Sequence, residues 1–424
     1  MRILVVGAGY VGLANALGLT GRDHEIVCID TDKARCEMLN AGKSPIYEEG
    51  FESVLRNTVS TSQLTFVSDY NNLGAEYECA IVCLPTPSKS NGEADLTFVL
   101  DGLSRLDRHM QRDSIVVVRS TVPPDSFDLL IGSLLRDDIS LVHMPEFLRE
   151  GHALSDFRTP DRVVVGSSSE ETARRMVDIF GLSNEPIVNC SLTEASLIKY
   201  ASNSYLAMRL SYFHALSSLT NALGADSRRV IRGVGLDSRI GVHFAEPAIA
   251  WGGSCFPKDT REFVAFAARI GHDMDLVATA IATNSKRVRA TADLISQSIE
   301  GVPKQRVAIL GIAFKPETGD VRSSAGVDLA IVLARRGIDV AMYDPIANLA
   351  ECTLVLPKNI VQHSNVSDAL AGADAVVVAT AWREFEDIPG LDAAGFMRGR
   401  IVHDPFYLLS REEWTNSGYE FVVK

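Results

Sequence analysis

Apolar residues in this chain gather in short unbroken runs instead of alternating with polar ones. Through the first third they read "RILVVGAG", "EIVCID", "CAIVCLP", "SIVVVRS", "ISLVHMPE" and "DRVVVG". A strand with one wet face alternates, whereas a strand covered on both faces does not. The runs therefore predict parallel strands with helices between them, an α/β doubly wound arrangement. At "SLTEASLIKYASNSYLAMRLSYFHALSSLTNALG" the strand signal stops. Ser191 and Glu194 have the spacing of a capping box, and Gly224 offers a stop. A helix of that length spans about 45 Å, more than one crossover needs, and reads as a spine joining domains or subunits.

Helical segments continue to about residue 300, where "PKQRVAILGIAF", "DVAMYDP", "DAVVVAT" and "RIVHDP" restore the α/β texture. Three domains are expected: a Rossmann-type dinucleotide-binding domain over 1–190, a central all-α domain over 191–300, and a Rossmann-like α/β domain over 301–424. The last resembles an echo of the first, although "LGIAFKP" lacks the glycine spacing of "VGAGYVG".

With 424 residues, two or three domains agree with ordinary domain size. The net charge of −13, without a long Lys/Arg run, argues against nucleic acid or an anionic membrane as the main partner. It leaves anionic small ligands open, because local basic residues decide those. No apolar run reaches the ~20 residues that span a bilayer. "MRILVVGAGYVGLANALGL" resembles a signal peptide, but its glycines break the apolar segment and have a better use. Seven cysteines form no CxxC pair and no Cys/His cluster, so no metal is expected and the setting reads as reducing and cytoplasmic. Cys79 and Cys83, inside an apolar run, read as small buried hydrophobes.

Chemistry enters first with Gly7, Gly9 and Gly12, a G-x-G-x-x-G directly after a strand and opening a helix. Asp30 closes the next strand. That context marks a dinucleotide turn: the glycines admit a pyrophosphate, and the acid takes the ribose hydroxyls while repelling a 2′-phosphate. NAD is thus expected over NADP. Thr86 in "CLPTPS" and Thr121 in "VRSTVPP" sit just past two further strands. Each is either a simple cap or a ligand in the crevice at the strand ends. Glu146, Arg149 and Glu150 in "HMPEFLREG" are either a solvated charged turn or paired carboxylates near the nicotinamide, one of them a general base. Lys199 and Asn203 share a helix face. The lysine either snorkels to solvent or joins Asn203 in donating to an alcohol being oxidised.

Cys255 lies in "AIAWGGSCFPKDTRE", beside Lys258 and Asp259 and behind the paired Gly252 and Gly253. A buried free thiol is the plain reading. The alternative is a nucleophile whose thiolate is favoured by the lysine and a helix start. In an NAD protein such a thiol captures an aldehyde, loses hydride and leaves a thioester, so alcohol becomes acid in two oxidations.

The motifs "GAGYVG", "SPIYEEG", "PTP", "STVP", "PEFLREG", "EASLIKYASNSYLAMR", "RIG", "WGGSCFPKD" and "GIAFKPETGDVRSS" together resemble the nucleotide-sugar dehydrogenases of the UDP-glucose/GDP-mannose dehydrogenase family along essentially the whole chain. The resemblance implies oxidation of UDP-glucose to UDP-glucuronate with reduction of two NAD. GDP-mannose is the alternative substrate, while "EFLREG" points away from the N-acetylhexosamine branch. It makes Cys255 the covalent nucleophile and Lys199 and Asn203 the stabilisers of the reacting oxygen. Asp259, with Lys199 and Thr121, surrounds the hydrolytic water, and Glu150 is the base or positions that water.

The resemblance gives the cofactor Gly7, Gly9, Val11, Gly12, Asp30, Arg35, Thr86, Thr121, Glu150, Lys258 and Arg322. It gives the sugar nucleotide Glu146, Phe147, Leu148, Arg149, Glu150, Lys199, Asn203, Arg239, Phe244, Gly252 and Lys315. It also implies a homodimer through the central helical domain. Phe244 and Trp251 depart from the tyrosines common in this family, and His214-Ala215 from an Asn-Glu pair. Two rival readings are a two-electron hydroxyacid dehydrogenase of the 6-phosphogluconate type and a non-catalytic NAD sensor. The first has no need of the Cys255 loop. The second has no reason to keep Lys199, Asn203, Cys255 and Asp259 together.

Overall fold

The unbroken apolar runs become strands buried on both faces. The structure, a computed structural model, describes residues 1–422 apart from residues 75, 135, 183 and 184. The chain divides into two compact units: Met1–Ser202 with Ala265–Gly271, and Asn203–Val264 with His272–Lys424.

The first unit is built on β1 (Arg2–Val6), β2 (Glu25–Ile29), β3 (Leu64–Val67), β4 (Tyr77–Val82), β5 (Met110–Val118), β6 (Ser140–His143), β7 (Val163–Gly166) and β8 (Ile187–Cys190). Their order across the sheet is β3-β2-β1-β4-β5-β6-β7-β8. Successive residues of one strand serve opposite cores. Ile3 and Val5 pack with Ile81 and Val117 on one face, and Leu4 and Val6 with Val82 and Val118 on the other. That division explains why these strands carry no polar alternation. Strand order reverses between β1 and β4, which opens a crevice at their carboxyl ends. One expectation fails locally: β7, the "DRVVVG" run, meets β6 antiparallel through His143 and Gly166, although it pairs parallel with β8.

The second unit holds β9 (Arg306–Leu310), β10 (Asp339–Tyr343), β11 (Ile360–Gln362), β12 (Ala375–Val378), β13 (Ile401–His403) and β14 (Glu420–Phe421), ordered β11-β10-β9-β12-β13-β14. Each pair of neighbours in this sheet runs parallel, and the order repeats that of the first six strands of the other sheet. The turn after β9 repeats the turn after β1. Gly7 and Gly311 both take positive φ. Gly7 donates to Ile29 at 2.7 Å and Gly311 to Tyr343 at 2.8 Å. Asp30 accepts from Ala8, while Asp344 accepts from Ile312 and Ala313.

The long helix runs Leu192–Ala222. Its start carries the expected capping box: Ser191 N donates to Glu194 Oε2 at 2.8 Å, and Glu194 N to Ser191 Oγ at 3.2 Å. Ser196 and Thr193 bind the carbonyls of Val122 and Pro124, which fastens the helix to the loop after β5. Among the described residues no helix is long and apolar enough to cross a membrane.

Candidate active site

The crevice of the first unit is shaped to admit a dinucleotide. A Cβ on Gly12 would lie 1.8 Å from the Gly7 carbonyl oxygen, so the first turn of helix Tyr10–Gly18 packs this closely only with glycine there. Gly9, by contrast, faces open space. Asp30 Oδ2 accepts from Ala8 N at 2.8 Å and from Arg35 Nη1 at 3.0 Å. The acid is thereby held at the rim of the turn, with Val11 inside it and Arg35 beside it. The ends of β4 and β5 are joined by Thr86 Oγ1, which donates to the Thr121 carbonyl at 2.9 Å. These residues fit NAD, whose diphosphate would sit over the glycine turn and whose ribose would face Asp30.

The loop after β6 carries the charged segment. Lys199 is buried, not snorkelling, and its Nζ reaches the Glu146 carbonyl at 2.5 Å and carboxylate at 3.1 Å. The Glu146 carboxylate also accepts from Leu148 N. Phe147 receives Arg162 on its ring at 3.8 Å and Lys199 at 5.2 Å. Arg149 is fastened to Asp156 through its backbone N–H and its guanidinium. Gly151 and Ala153 donate to the buried Glu48. Glu150 is therefore presented between two anchored neighbours. Glu48 also accepts from the Tyr10 hydroxyl, whose pKa is raised by burial and then by that carboxylate. Tyr10 and Glu48 were not among the residues singled out from the sequence. The signal was present, since Tyr10 sits inside the glycine motif and Glu48 inside "SPIYEEG".

The second unit holds the thiol. Cys255 immediately precedes helix Phe256–Arg269, and its carbonyl accepts from Asp259 N at 2.8 Å. The thiol thus stands at a helix N-terminus, where a thiolate is favoured. Asn203 Nδ2 donates to Asp259 Oδ2 at 2.5 Å, and Lys258 Nζ pairs with Asp259 Oδ1 at 2.7 Å. Glu262, one turn on and also missed from sequence, takes Lys258 at 3.3 Å. Burial opposes charge on Lys258, but Asp259 and Glu262 outweigh it and raise its pKa. Lys258 is thus partly neutralised by its own helix. The glycines before the thiol are tightly packed: a Cβ on Gly252 would meet the Ser323 carbonyl oxygen at 2.1 Å, and one on Gly253 the Phe314 ring at 2.6 Å. That packing ties the thiol loop to the "FKPETGDVRSS" segment. Within the segment Arg322 pairs with Asp320 at 2.6 Å, and Lys315 is half-buried. Arg239 is exposed and paired with Asp237, and Phe244, at positive φ, holds its ring tilted against Phe256 with centroids 6.3 Å apart.

Three domain profiles match successive parts of the chain. The UDP-glucose/GDP-mannose dehydrogenase family NAD binding domain matches residues 1–182, the central domain 193–286 and the UDP binding domain 308–411. The chain belongs to the UDP-glucose/GDP-mannose dehydrogenase family. It is accordingly an NAD-dependent oxidoreductase of that family. It is 34% identical to UDP-glucose 6-dehydrogenase YwqF of Bacillus subtilis, over 99% of this chain and 97% of that one. It is 35% identical to UDP-glucose 6-dehydrogenase AglM of Haloferax volcanii over the whole of both chains. A solved UDP-glucose dehydrogenase from Pyrobaculum islandicum superposes with a TM-score of 0.89 at 33% identity, covering 97% of this chain and 98% of that one. Membership of the family agrees with the α/β architecture and the NAD-shaped crevice. Within each unit the family motifs converge: Lys199 with Glu146 and Phe147 in the first, and Cys255 with Asp259, Lys258 and Asn203 in the second.

Proposed function

We propose that the chain oxidises the primary alcohol of UDP-glucose to the carboxylate of UDP-glucuronate in two NAD-dependent steps, through a thioester on Cys255. The observation that carries this reading is the thiol at the N-terminus of the helix whose first turn carries Asp259, the acid that accepts from the Asn203 amide. The relatives named UDP-glucose 6-dehydrogenase favour that sugar nucleotide over GDP-mannose.

When bound, NAD supplies the hydride acceptor for each oxidation. Lys199 and Asn203 donate to the reacting oxygen, and a carboxylate, Glu150, takes the alcohol proton as hydride leaves, which gives the aldehyde. Cys255 Sγ adds to the aldehyde carbon, and the new alkoxide takes a proton to give a thiohemiacetal. Loss of a second hydride and the hydroxyl proton leaves the thioester. Water held by Asp259, Lys199 and Thr121 adds, the thiolate leaves, and the carboxylate is released. In this reading Gly7, Gly9, Val11, Gly12, Asp30, Arg35, Thr86, Lys258 and Arg322 hold the cofactor. The loop from Glu146 to Glu150, with Arg239, Phe244, Gly252 and Lys315, meets the sugar nucleotide.

The chain is further read as a homodimer of three-domain subunits. Tyr205, Tyr212 and Leu219 recur every seventh residue of the long helix and are exposed at 60%, 62% and 58%, a stripe suited to a second copy. Seven free thiols fit a reducing, cytoplasmic setting.

The test is to add limiting UDP-glucose to enzyme with excess NAD and count NADH per sugar. Two per sugar is expected, with none from GDP-mannose. Cys255→Ser is expected to bind both ligands without sustained turnover to the acid. Full turnover by that variant would remove the thioester from the mechanism.

A further inference from the structure

The segment that leads into the thiol has no regular structure of its own. Residues 245–255 lie in neither helix nor strand, so their backbone groups need partners from elsewhere. Those partners come from one face of helix Asp275–Ser298. Asn284 Oδ1 accepts from Trp251 N at 2.9 Å, and Asn284 Nδ2 donates to the Trp251 carbonyl at 2.8 Å. One carboxamide thus replaces both bonds of a strand pairing. One turn further on, Arg287 Nε donates to the Ile249 carbonyl at 2.8 Å and Arg287 Nη2 to the Ala248 carbonyl at 2.9 Å. Arg287 Nη1 donates to the His214 carbonyl and to Ser218 Oγ, each at 2.9 Å, which ties the same guanidinium to the long helix. The Trp251 indole completes the clamp by donating to Ser211 Oγ at 2.8 Å.

The arginine is unusual in its company. Among the described residues no carboxylate pairs with it, and every acceptor it has is neutral. Burial alone pushes its pKa down to about 10. Burying a guanidinium without a counter-charge is costly, and a neutral donor would suffice to satisfy one carbonyl. A flat fork able to bind several oxygens at fixed angles has no neutral substitute.

We propose that Asn284 and Arg287 are positioning residues that fix Trp251 and thereby the reach of the Cys255 thiol. Only Gly252, Gly253 and Ser254 separate the clamped tryptophan from Cys255, and both glycines are packed against Phe314 and Ser323. At its other end the loop is held by the Cys255 carbonyl, which caps the following helix. The thiol therefore stands on a short tether fixed at two points. Asn284 controls the first point and leaves the second intact. This rests on the reading that Cys255 carries the second oxidation, in which the alcohol-to-aldehyde step needs no thiol. Loosening the clamp then harms aldehyde capture selectively, by about a hundredfold for a displacement on the order of 1 Å.

The test uses the full-length enzyme and the variants Asn284→Ala, Asn284→Asp and Arg287→Lys. Two quantities are read: NADH per UDP-glucose with an aldehyde-reactive hydrazide present, and the iodoacetamide alkylation rate of the Cys255 peptide without substrate. Expected for Asn284→Ala are NADH falling from two towards one per sugar, trapped aldehyde, and an altered alkylation rate. Asn284→Asp retains the acceptor for Trp251 N and should recover part of the second oxidation. Arg287→Lys keeps the charge and loses the fork, so it should behave like Asn284→Ala. A merely structural clamp would lower thermal stability and leave NADH at two and alkylation unchanged; that result in folded Asn284→Ala and Arg287→Lys overturns the proposal. If the wild type itself gives fewer than two NADH, the thioester reading fails, and the alkylation comparison still decides the positioning role. Should Asn284→Ala not fold, Ser211→Ala, which frees only the indole, is measured in its place.

Discussion

Acid should destabilise the second unit earlier than its carboxylates alone require. His214 and His403 are both buried there, and burial pushes their pKa values down to about 3 and about 4. Arg287 lies close enough to disfavour charge on either ring. His403 Nδ1 donates to the Val422 carbonyl at 2.9 Å, which opposes the shift without cancelling it. In the unfolded chain both titrate near about 6.5. A depressed folded pKa means that the unfolded state binds more protons, so their contribution is complete above about 6.5 and is lost as pH falls below it. At about pH 5.5 each histidine removes about 1.4 kcal/mol, so the pair removes about 3 kcal/mol relative to pH 7.5.

The assay is favourable because Trp251, Trp382 and Trp414 all lie in the second unit, so tryptophan fluorescence during urea unfolding reports that unit. Asp328 and Asp404, with pKa values raised by burial, contribute with the opposite sign. The comparison is therefore made against the double variant His214→Gln, His403→Gln, which retains both acids. It should lose about 3 kcal/mol less than the parent over the same interval. An equal loss in both chains would refute the reasoning.

Other expectations are simpler to check. Asp30→Ala should relax the preference for NAD over NADP, read as the ratio of kcat/KM for the two cofactors, because the acid that would repel a 2′-phosphate is gone. Gly252→Ala places a methyl 2.1 Å from the Ser323 carbonyl oxygen and should destabilise the second unit in urea by about 1–3 kcal/mol. The same variant should lose most of its activity. Cys79 and Cys83, raised to about 12 by burial, should resist iodoacetamide at neutral pH while Cys255 reacts, as read by peptide mass spectrometry.

Most of the fold was legible because doubly covered strands leave long apolar runs. Every run named from sequence became a strand, from "RILVVGAG" as β1 to "RIVHDP" as β13. The strands that escaped, β3, β8, β11 and β14, are the edge strands of the two sheets and have few buried positions. Such pieces bury too little to mark the sequence. The antiparallel contact of β6 with β7 was invisible, since direction depends on where the connection returns. In the site, residue types in motifs were readable, but burial of Lys199 was not, because helical spacing leaves open which side of the helix is covered. Glu48, Asn284 and Arg287 act on backbone groups, and bonds of that kind impose no periodicity on the chain.

The matching turns after β1 and β9 also divide the two sheets by what they can hold. Asp344 spends both oxygens internally: Oδ2 on Ile312, Ala313 and the Trp382 indole, Oδ1 on Ile346 and Ala347. Asp30 stands in the same place with fewer claims on it and a half-exposed arginine alongside. In addition, only four residues separate the paired glycines of the first turn, Gly7 and Gly12, whereas Gly326, whose Cβ would meet the Gly311 carbonyl oxygen at 2.5 Å, lies a whole loop further on. The second sheet keeps the frame of a dinucleotide site with its ribose acid locked inward. Each chain should therefore saturate with a single NAD in a calorimetric titration, leaving the other like-built crevice free for a different nucleotide.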